Sequence, residues 1–327
     1  MFRRNNILEK QIFSISSEHD FEQTALNVFN YQYENVSVYR DFCKHIGKTH
    51  PQHWTEIPFL PISLFKTHTI LVEGAVPEKT FKSSGTTSNN RSKHSLAFLD
   101  VYEKSFFTTF TSFFGDIQNT VILGLLPNYI EQGDSSLVYM VEGLVKKSNN
   151  KLSGFFLHEY DALYQKVQEA KKLNLKVIIL GVAYALMDLA DNNMDLSETL
   201  IIETGGMKGR RKELLKDELH DYLKTGLSIS QVHSEYGMTE LLSQAYLMKD
   251  GYFKHPNWMR FLMRDTNDPF SFVKTGKTGG INVIDLANLY SCSFIATDDL
   301  GVAHAKGIKI VGRFDNSDIR GCNLMVS

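Results

Sequence analysis

The chain has 327 residues, 43% of them hydrophobic and 22% charged, which is enough to bury a full core without disulfide or metal staples. A formal net charge of -2 with no dense basic cluster gives no electrostatic basis for nucleic-acid binding. Three widely spaced cysteines, Cys43, Cys292 and Cys322, argue against a disulfide framework and a zinc site, and the longest apolar run, Val177 to Met187, is too short to span a bilayer.

In chain order, no apolar core follows Arg3 and Arg4, so no signal peptide is expected and a reducing cytoplasm is the expected compartment. Without a secretion signal, Asn35-Val36-Ser37 is an empty match to a glycosylation pattern. Residues 20–46 predict a helix, with Phe21, Ala25, Val28 and Phe29 at helical spacing. Ile57-Pro58-Phe59-Leu60-Pro61 predicts an extended segment, because proline forces its predecessor out of the helical region. Residues 95–114 predict a helix in which Phe106, Phe107, Phe110, Phe113 and Phe114 read as core.

Strand and helix patterns then alternate. Strands are expected at 121–126, 177–180, 200–202 and 229–232, and helices at 135–145, 163–173, 183–190 and 212–223. That alternation predicts an α/β fold with a mainly parallel sheet flanked by helices. From residue 245 short strands and turns take over, at 252–253, 261–263, 281–284, 294–296 and 308–311, predicting a smaller β-rich, barrel-like subregion. The expected division is an N-terminal helical segment, 1–55, and one domain, 56–327, with 245–327 as its β-rich part.

The chemistry-bearing motifs are four, in order: Ser83-Ser84-Gly85-Thr86-Thr87-Ser88-Asn89-Asn90-Arg91-Ser92-Lys93, Tyr236-Gly237-Met238-Thr239-Glu240, Thr297-Asp298-Asp299-Leu300-Gly301 and Gly312-Arg313-Phe314-Asp315. In the first, small residues let backbone N–H groups approach an anion, hydroxyls add donors, and Arg91 and Lys93 add positive charge. A plain Ser/Thr/Asn-rich surface turn has the same composition. No Gly-Lys-Ser/Thr follows Gly85 at P-loop spacing, and Lys274-Thr275-Gly276-Lys277-Thr278-Gly279-Gly280 reads as a turn before a strand.

Taken together, the set resembles the adenylate-forming superfamily of acyl-CoA ligases, peptide-synthetase adenylation domains and luciferases. That resemblance implies that Ser83, Ser84, Gly85, Thr86, Thr87 and Arg91 embrace the phosphates of ATP. It implies that Tyr236 and Gly237 face adenine with Gly205 and Gly206, that Thr239 meets phosphate, and that Glu240 holds Mg²⁺. Asp299 is matched to the aspartate on the ribose hydroxyls and Arg313 to a residue near the ribose. The residue chemistry agrees, since a tyrosine ring offers a stacking face and a carboxylate is a hard ligand for magnesium.

A narrower likeness rests on Ile57–Pro61 with Phe65-Lys66, on Phe81–Thr87 with Arg91-Ser92-Lys93-His94, and on Leu126-Pro127-Asn128-Tyr129 with 134–140. These resemble the acyl-protein synthetases of bacterial luminescence, from about residue 55 to the end. The likeness implies activation of a fatty or other carboxylic acid with ATP, followed by thioester formation on a cysteine near the C-terminus, here Cys322. It also implies an acyl-accepting partner such as a reductase or acyltransferase. After Asp315 only 12 residues remain (327 − 315), too few for the lid domain most adenylate-forming enzymes carry, a truncation the luminescence-type ligases share. Lys66, Lys82 and Lys93 are the candidates for the cation that balances the reacting carboxylate, with Lys93 preferred.

A thiolate is the strongest side-chain nucleophile near neutral pH, and Arg320 and Arg313 lie within ten residues of Cys322. The alternative is a cysteine used as a small apolar residue, the reading given to Cys43 and Cys292. His233 either lines an acyl pocket or caps a strand end. Two rival functions stay open: a phenylacetate-type ligase that uses coenzyme A, and a non-catalytic subunit that binds nucleotide or acyl chain.

Overall fold

A computed structural model describes residues 2–84, 91–127, 133–207, 210–212 and 214–314. The chain folds into two compact units. The first takes residues up to Val76, Ser95–Ala97 and the chain from Tyr252 onward, and the second takes Pro77–His94 and Phe98–Gly251.

The first unit begins with α1 (Asn6–Phe13), α2 (Glu18–Asn35), α3 (Ser37–His45), β1 (Leu60–Pro61) and α4 (Leu64–Thr67). The helix expected over 20–46 is therefore two. Val36 is extended at φ -115°, ψ 98°, which drives its β-branched side chain to full burial and turns the chain between α2 and α3. Ser17 opens α2 with a capping box: its side chain accepts from Asp20 N, and Asp20 accepts from Ser17 N.

The second unit runs β2 (Lys79–Lys82), the first half of β3 (Lys93–Leu96), whose Ser95 and Leu96 count with the first unit, α5 (Leu99–Phe114), β4 (Val121–Leu125), α6 (Ser136–Ser148), β5 (Gly154–Phe156), α7 (Tyr160–Lys172), β6 (Val177–Val182), α8 (Ala183–Asp191), β7 (Leu200–Thr204), α9 (Lys216–Leu227), β8 (Val232–Tyr236) and β9 (Ala245–Leu247). Strands β5-β4-β6-β7-β8 are parallel neighbours, and β9 closes the row antiparallel to β8. Strands β4 and β6 are buried at every position, which is why they read as unbroken apolar runs. A side chain at Gly124 of β4 would meet the Phe155 ring at 2.8 Å, so β5 packs where only glycine fits.

Two expectations shift along the chain here. The helix read at 212–223 is observed as Lys216–Leu227, because Glu218 accepts from Leu215 N at its start and Ser228 stops it at φ 56°. The strand read at 229–232 is observed as Val232–Tyr236. Ile229 instead donates its N–H to Lys224 O and buries its side chain under the end of α9, in the manner of a helix C-cap.

The chain returns to the first unit with β10 (Phe253–Lys254), β11 (Met259–Arg264), β12 (Thr278–Asp285), β13 (Phe294–His304) and β14 (Gly307–Arg313). They pair antiparallel in the order β11-β12-β13-β14-β10. The 11-residue β13 changes partner along one edge: Ile295 and Ala296 pair with β1 in parallel, and from Asp299 onward the same strand pairs with β14. Among the described residues no helix is long and apolar enough to cross a membrane.

The core of the first unit gathers Phe29, Tyr39 and Phe294, with Tyr39 stacked on Phe294 at 5.9 Å. One buried glutamine ties α2 to the turn before β13. Gln32 Nε2 donates to the carbonyl oxygens of Asn288 at 3.0 Å and Leu289 at 2.9 Å, and Gln32 Oε1 accepts from Ser293 N at 3.0 Å. Removing the amide takes the Gln32 partner from the Leu289 carbonyl and the Ser293 N–H in a buried site, while Asn288 O keeps Ser291 N. Gln32→Ala is expected to cost about 3 kcal/mol in chemical denaturation, against about 1 kcal/mol for an ordinary truncation of similar size.

Candidate active site

In the second unit, the hairpin formed by β2 and β3 carries the ends of the Ser/Thr/Gly loop. Ser83 N donates to Ser92 O at 3.0 Å, and Ser92 N donates to Ser83 Oγ at 3.0 Å. Arg91 turns back and donates through Nε to the Ser83 carbonyl oxygen and through Nη2 to that of Lys82 at 3.4 Å. Arg91 thus braces the loop ends as well as bringing positive charge to them. Gly85, Thr86 and Thr87 lie outside the described residues.

Of the three candidate lysines, Lys82 is engaged: its Nζ meets Asp134 Oδ2 at 2.7 Å, and that hydrogen bond holds the Asp134 carboxyl below its ordinary range. Lys93 is exposed at the start of β3. Lys66 is exposed in α4, within the first unit.

The other phosphate- and base-facing candidates sit at the carboxyl ends of β7 and β8. These strands are parallel neighbours, with Ile201, Ile202 and Glu203 opposite Val232, His233 and Ser234. Gly205 and Gly206 leave β7 as Tyr236 and Gly237 end β8. Gly205 takes φ 66°, a left-handed conformation that glycine adopts without cost, and a side chain at Gly206 would meet no protein atom within 4 Å. Tyr236 and Thr239 are half-buried, while Glu240 is only 4% exposed.

The turn carrying Thr239 is held from β3. His94 is buried, and its Nδ1 donates to the Thr239 carbonyl oxygen at 2.7 Å. A carbonyl can only accept, so this bond fixes the tautomer. His94 stands in the Arg91–His94 run but was not among the candidate site residues. A histidine next to a phosphate-loop sequence was the only available signal. Farther along, Ser105 of α5 and Ser243 share a hydroxyl hydrogen bond of 2.9 Å, fixing the stretch that follows Glu240.

Behind the turn lie two carboxylates with opposite titration behaviour. Glu203 is fully buried; burial alone would raise its pKa, but Lys216, whose Nζ pairs with Glu203 Oε1, and hydrogen bonds from His220 and Ser234 bring it below the ordinary value. Glu235 accepts from Thr204 Oγ1, yet desolvation and the nearby Glu203 charge push its carboxyl up to about 7. Neither was identified from sequence.

His233 is accounted for by packing. Its Nδ1 donates to Leu247 O at 2.9 Å, its ring meets Phe114 edge-on at 5.4 Å, and burial lowers its pKa. Phe106, Phe110 and Phe114 are buried on one face of α5, as their spacing predicts.

In the first unit, Asp299 and Arg313 face each other across β13 and β14 and form an ion pair of 3.2 Å. Asp299 N donates to Thr297 Oγ1 at 3.2 Å, which sets the strand just ahead of the carboxylate. Cys322 lies outside the described residues. Cys43 and Cys292 are buried, and burial pushes the Cys43 thiol up to about 12 and the Cys292 thiol well above its ordinary value.

Residues 156–327 match the family described as "Acyl-protein synthetase, LuxE", which is more than half of the chain. The protein belongs to the LuxE acyl-protein synthetase family. No curated protein matches it. Among solved structures, the family member is similar to 2-hydroxyisobutyryl-CoA ligase in an open conformation, in complex with 2-HIB-AMP and CoA. The identity is 10%, with a TM-score of 0.66 over 91% of this chain and 71% of that one. The same ligase in its thioesterification state gives a TM-score of 0.67 at 11% identity over 96% of this chain and 73% of that one. MatB from Rhodopseudomonas palustris, without ligand, gives 0.53 at 17% identity over 72% of this chain, and the match spans 48% of MatB. These likenesses show that this family member shares the fold of those ligases.

Two outcomes follow from the packing. His94→Ala removes the brace on Thr239 and leaves its carbonyl without that donor; a stability loss of about 1–2 kcal/mol and weaker ATP binding are expected, read by denaturation and calorimetry. In native protein treated with iodoacetamide at neutral pH, peptides carrying Cys43 and Cys292 are expected to stay unmodified and to react only after denaturation, as peptide mapping would show.

Proposed function

We propose that this acyl-protein synthetase activates a carboxylic acid, with a fatty acid as the leading candidate, as an acyl-adenylate and then carries the acyl group as a thioester on Cys322. The reading is carried by one observation: in a chain of this family, Gly205-Gly206 and Tyr236–Glu240 leave adjacent parallel strands on the same sheet edge. That edge, outside the carboxyl ends of the strands, is where open α/β sheets bind ligands.

In the first half-reaction a carboxylate oxygen attacks the α-phosphorus of ATP, an acyl–phosphate bond forms, and the bond to the β-phosphate oxygen breaks to release pyrophosphate. In the second, a thiolate attacks the acyl carbon and AMP departs with the electron pair of the broken C–O bond. Within this reading Tyr236 and Gly237 face the adenine with Gly205 and Gly206. Ser83, Ser84, Gly85, Thr86, Thr87, Arg91, Lys93 and Thr239 attend the phosphates, and Asp299 and Arg313 attend the ribose. The donor set suits magnesium. Glu240 is one buried carboxylate, and among the described residues no group of three or more His, Cys, Asp or Glu could hold a metal. Mg²⁺ ordinarily takes one or two carboxylates and draws its remaining ligands from phosphates and water. When bound it offsets phosphate charge. We place the reaction in the cytoplasm, followed by delivery of the acyl group to a partner such as a reductase or acyltransferase.

The test is exchange of labelled pyrophosphate into ATP across carboxylic acids of graded chain length, with intact mass of the protein read in parallel. Exchange with a subset of acids is expected, together with a hydroxylamine-labile adduct that Cys322→Ser abolishes while exchange survives. Absence of exchange with every acid overturns the adenylation reading. An adduct that persists in Cys322→Ser, or AMP release that requires coenzyme A, moves the acceptor elsewhere.

A further inference from the structure

The carboxyl of Glu235, on a half-buried residue, has no part in the reaction just described, yet it touches both segments assigned to the base. On one side it accepts the Thr204 hydroxyl hydrogen, and Thr204 is the last residue of β7 before Gly205-Gly206. On the other, its Oε1 occupies the space a side chain at Gly237 would need, since a Cβ built there would collide with that oxygen. Gly237 does not take a left-handed conformation, so what a side chain there would meet first is this carboxyl, which it would have to displace. Glu235 therefore fills the gap between the end of β7 and the turn that carries Tyr236.

We propose that Glu235 is a positioning residue for the adenine base: held by Thr204 beneath Gly237, its carboxyl locks the Tyr236 turn to the strand end at Gly205 and Gly206. This deepens the adenylation reading and rests on it for the identity of the ligand.

The surroundings determine which protonation state does this. Glu203 on β7 lies opposite Ser234, one residue before Glu235, and its charge raises the Glu235 pKa. Lys216 and His220 of α9 both face Glu203, and Lys216 is paired with it rather than with Glu235. From β9, Tyr246 stands opposite Glu235; it is fully buried and, among the described residues, its hydroxyl meets no hydrogen-bond partner. Gln244 reaches within 3.4 Å of where a Gly237 side chain would start. None of these supplies Glu235 with a counter-ion of its own, so the neutral acid suits the site. Burial raises the carboxyl to about 7, so the locked arrangement is favoured below that pH. As pH rises through it, two carboxylates on neighbouring strands repel and the lock is lost. Affinity for the base should then fall with rising pH, by no more than about tenfold per pH unit for one proton.

Adenosine is the probe, because it has no group titrating between about pH 6 and pH 8.5 and its binding does not depend on acid activation. Its affinity is measured by calorimetry for the wild type, Glu235→Ala, Glu235→Gln and Thr204→Val, with thermal melting as a check on folding. At about pH 6.5, Glu235→Ala is expected to lose about tenfold in affinity, and Glu235→Gln to recover most of it, because its amide oxygen still accepts from Thr204. Wild-type affinity should decline above about pH 7, whereas Glu235→Gln should show a flatter profile. Glu235→Ala binding within twofold of wild type overturns the inference. If Glu235→Ala does not fold, the comparison of pH profiles decides, and superimposable profiles for wild type and Glu235→Gln overturn it. Wild type that binds adenosine in this manner but exchanges no pyrophosphate sinks the adenylation reading and leaves the positioning role intact.

Discussion

Parallel pairing of β7 with β8 is the constraint on which the candidate base- and phosphate-facing edge of the second unit depends. Two parallel strands must end on the same side of a sheet, so pairing Glu203 with Ser234 delivers Gly205-Gly206 and Tyr236-Gly237 to one edge. The register matters as much as the direction. A slip of one residue along β8 would turn Glu235 to the opposite face of the sheet, away from Thr204, and bring Ser234 or Tyr236 to its place.

Those polar neighbours carry a cost that α9 offsets. A carboxylate as deeply buried as Glu203 is stable only with a partner, and Lys216, His220 and Ser234 provide one charge and two hydrogen bonds. Among the described residues Lys216 forms its ion pair with Glu203, from a helix that packs against β8, and reaches Glu235 only through space. Glu235 hydrogen-bonds the Thr204 hydroxyl. The two carboxyl groups on adjacent strands are thus shifted in opposite directions, Glu203 down by its partners and Glu235 up by desolvation.

Strands that are buried on both faces were legible, because Val121–Leu125 and Val177–Val182 read as continuous apolar runs whatever their neighbours. The strand that matters most to the site was misplaced by three residues. Ile229 is apolar but seals a helix end, whereas His233, Ser234 and Glu235 are polar and lie in the strand, satisfied by β9, His220 and Thr204. A polar strand interior has no periodic signature, since its partners come from distant parts of the chain. The two-residue β1 is visible only through its pairing with Ile295 and Ala296. Among candidate site residues, the motif positions Tyr236–Glu240 and the Asp299–Arg313 pair were selected through resemblance. His94 lies in a matched run and Glu235 in none, but both act through other residues, so only coordinates reveal what they touch.

The supply of positive charge for a triphosphate turns on how firmly the lysines near the loop are held. Lys82 is paired with Asp134, but both side chains remain 38% exposed. Exposed pairs of this kind are worth about 0–1 kcal/mol, because solvent screens the attraction and two long side chains lose freedom to make it. In the adenylation reading proposed above, three or four phosphate charges at the neighbouring Ser83-Ser84 backbone would present a stronger field than one screened carboxylate, so Lys82 could exchange Asp134 for phosphate at little cost. Arg91 differs. Its guanidinium is already spent in part on the carbonyl oxygens of Lys82 and Ser83, and moving it would unpin both ends of the loop. The physical division of labour is therefore a fixed guanidinium that shapes the hairpin and an exchangeable ammonium that answers to the charge arriving there.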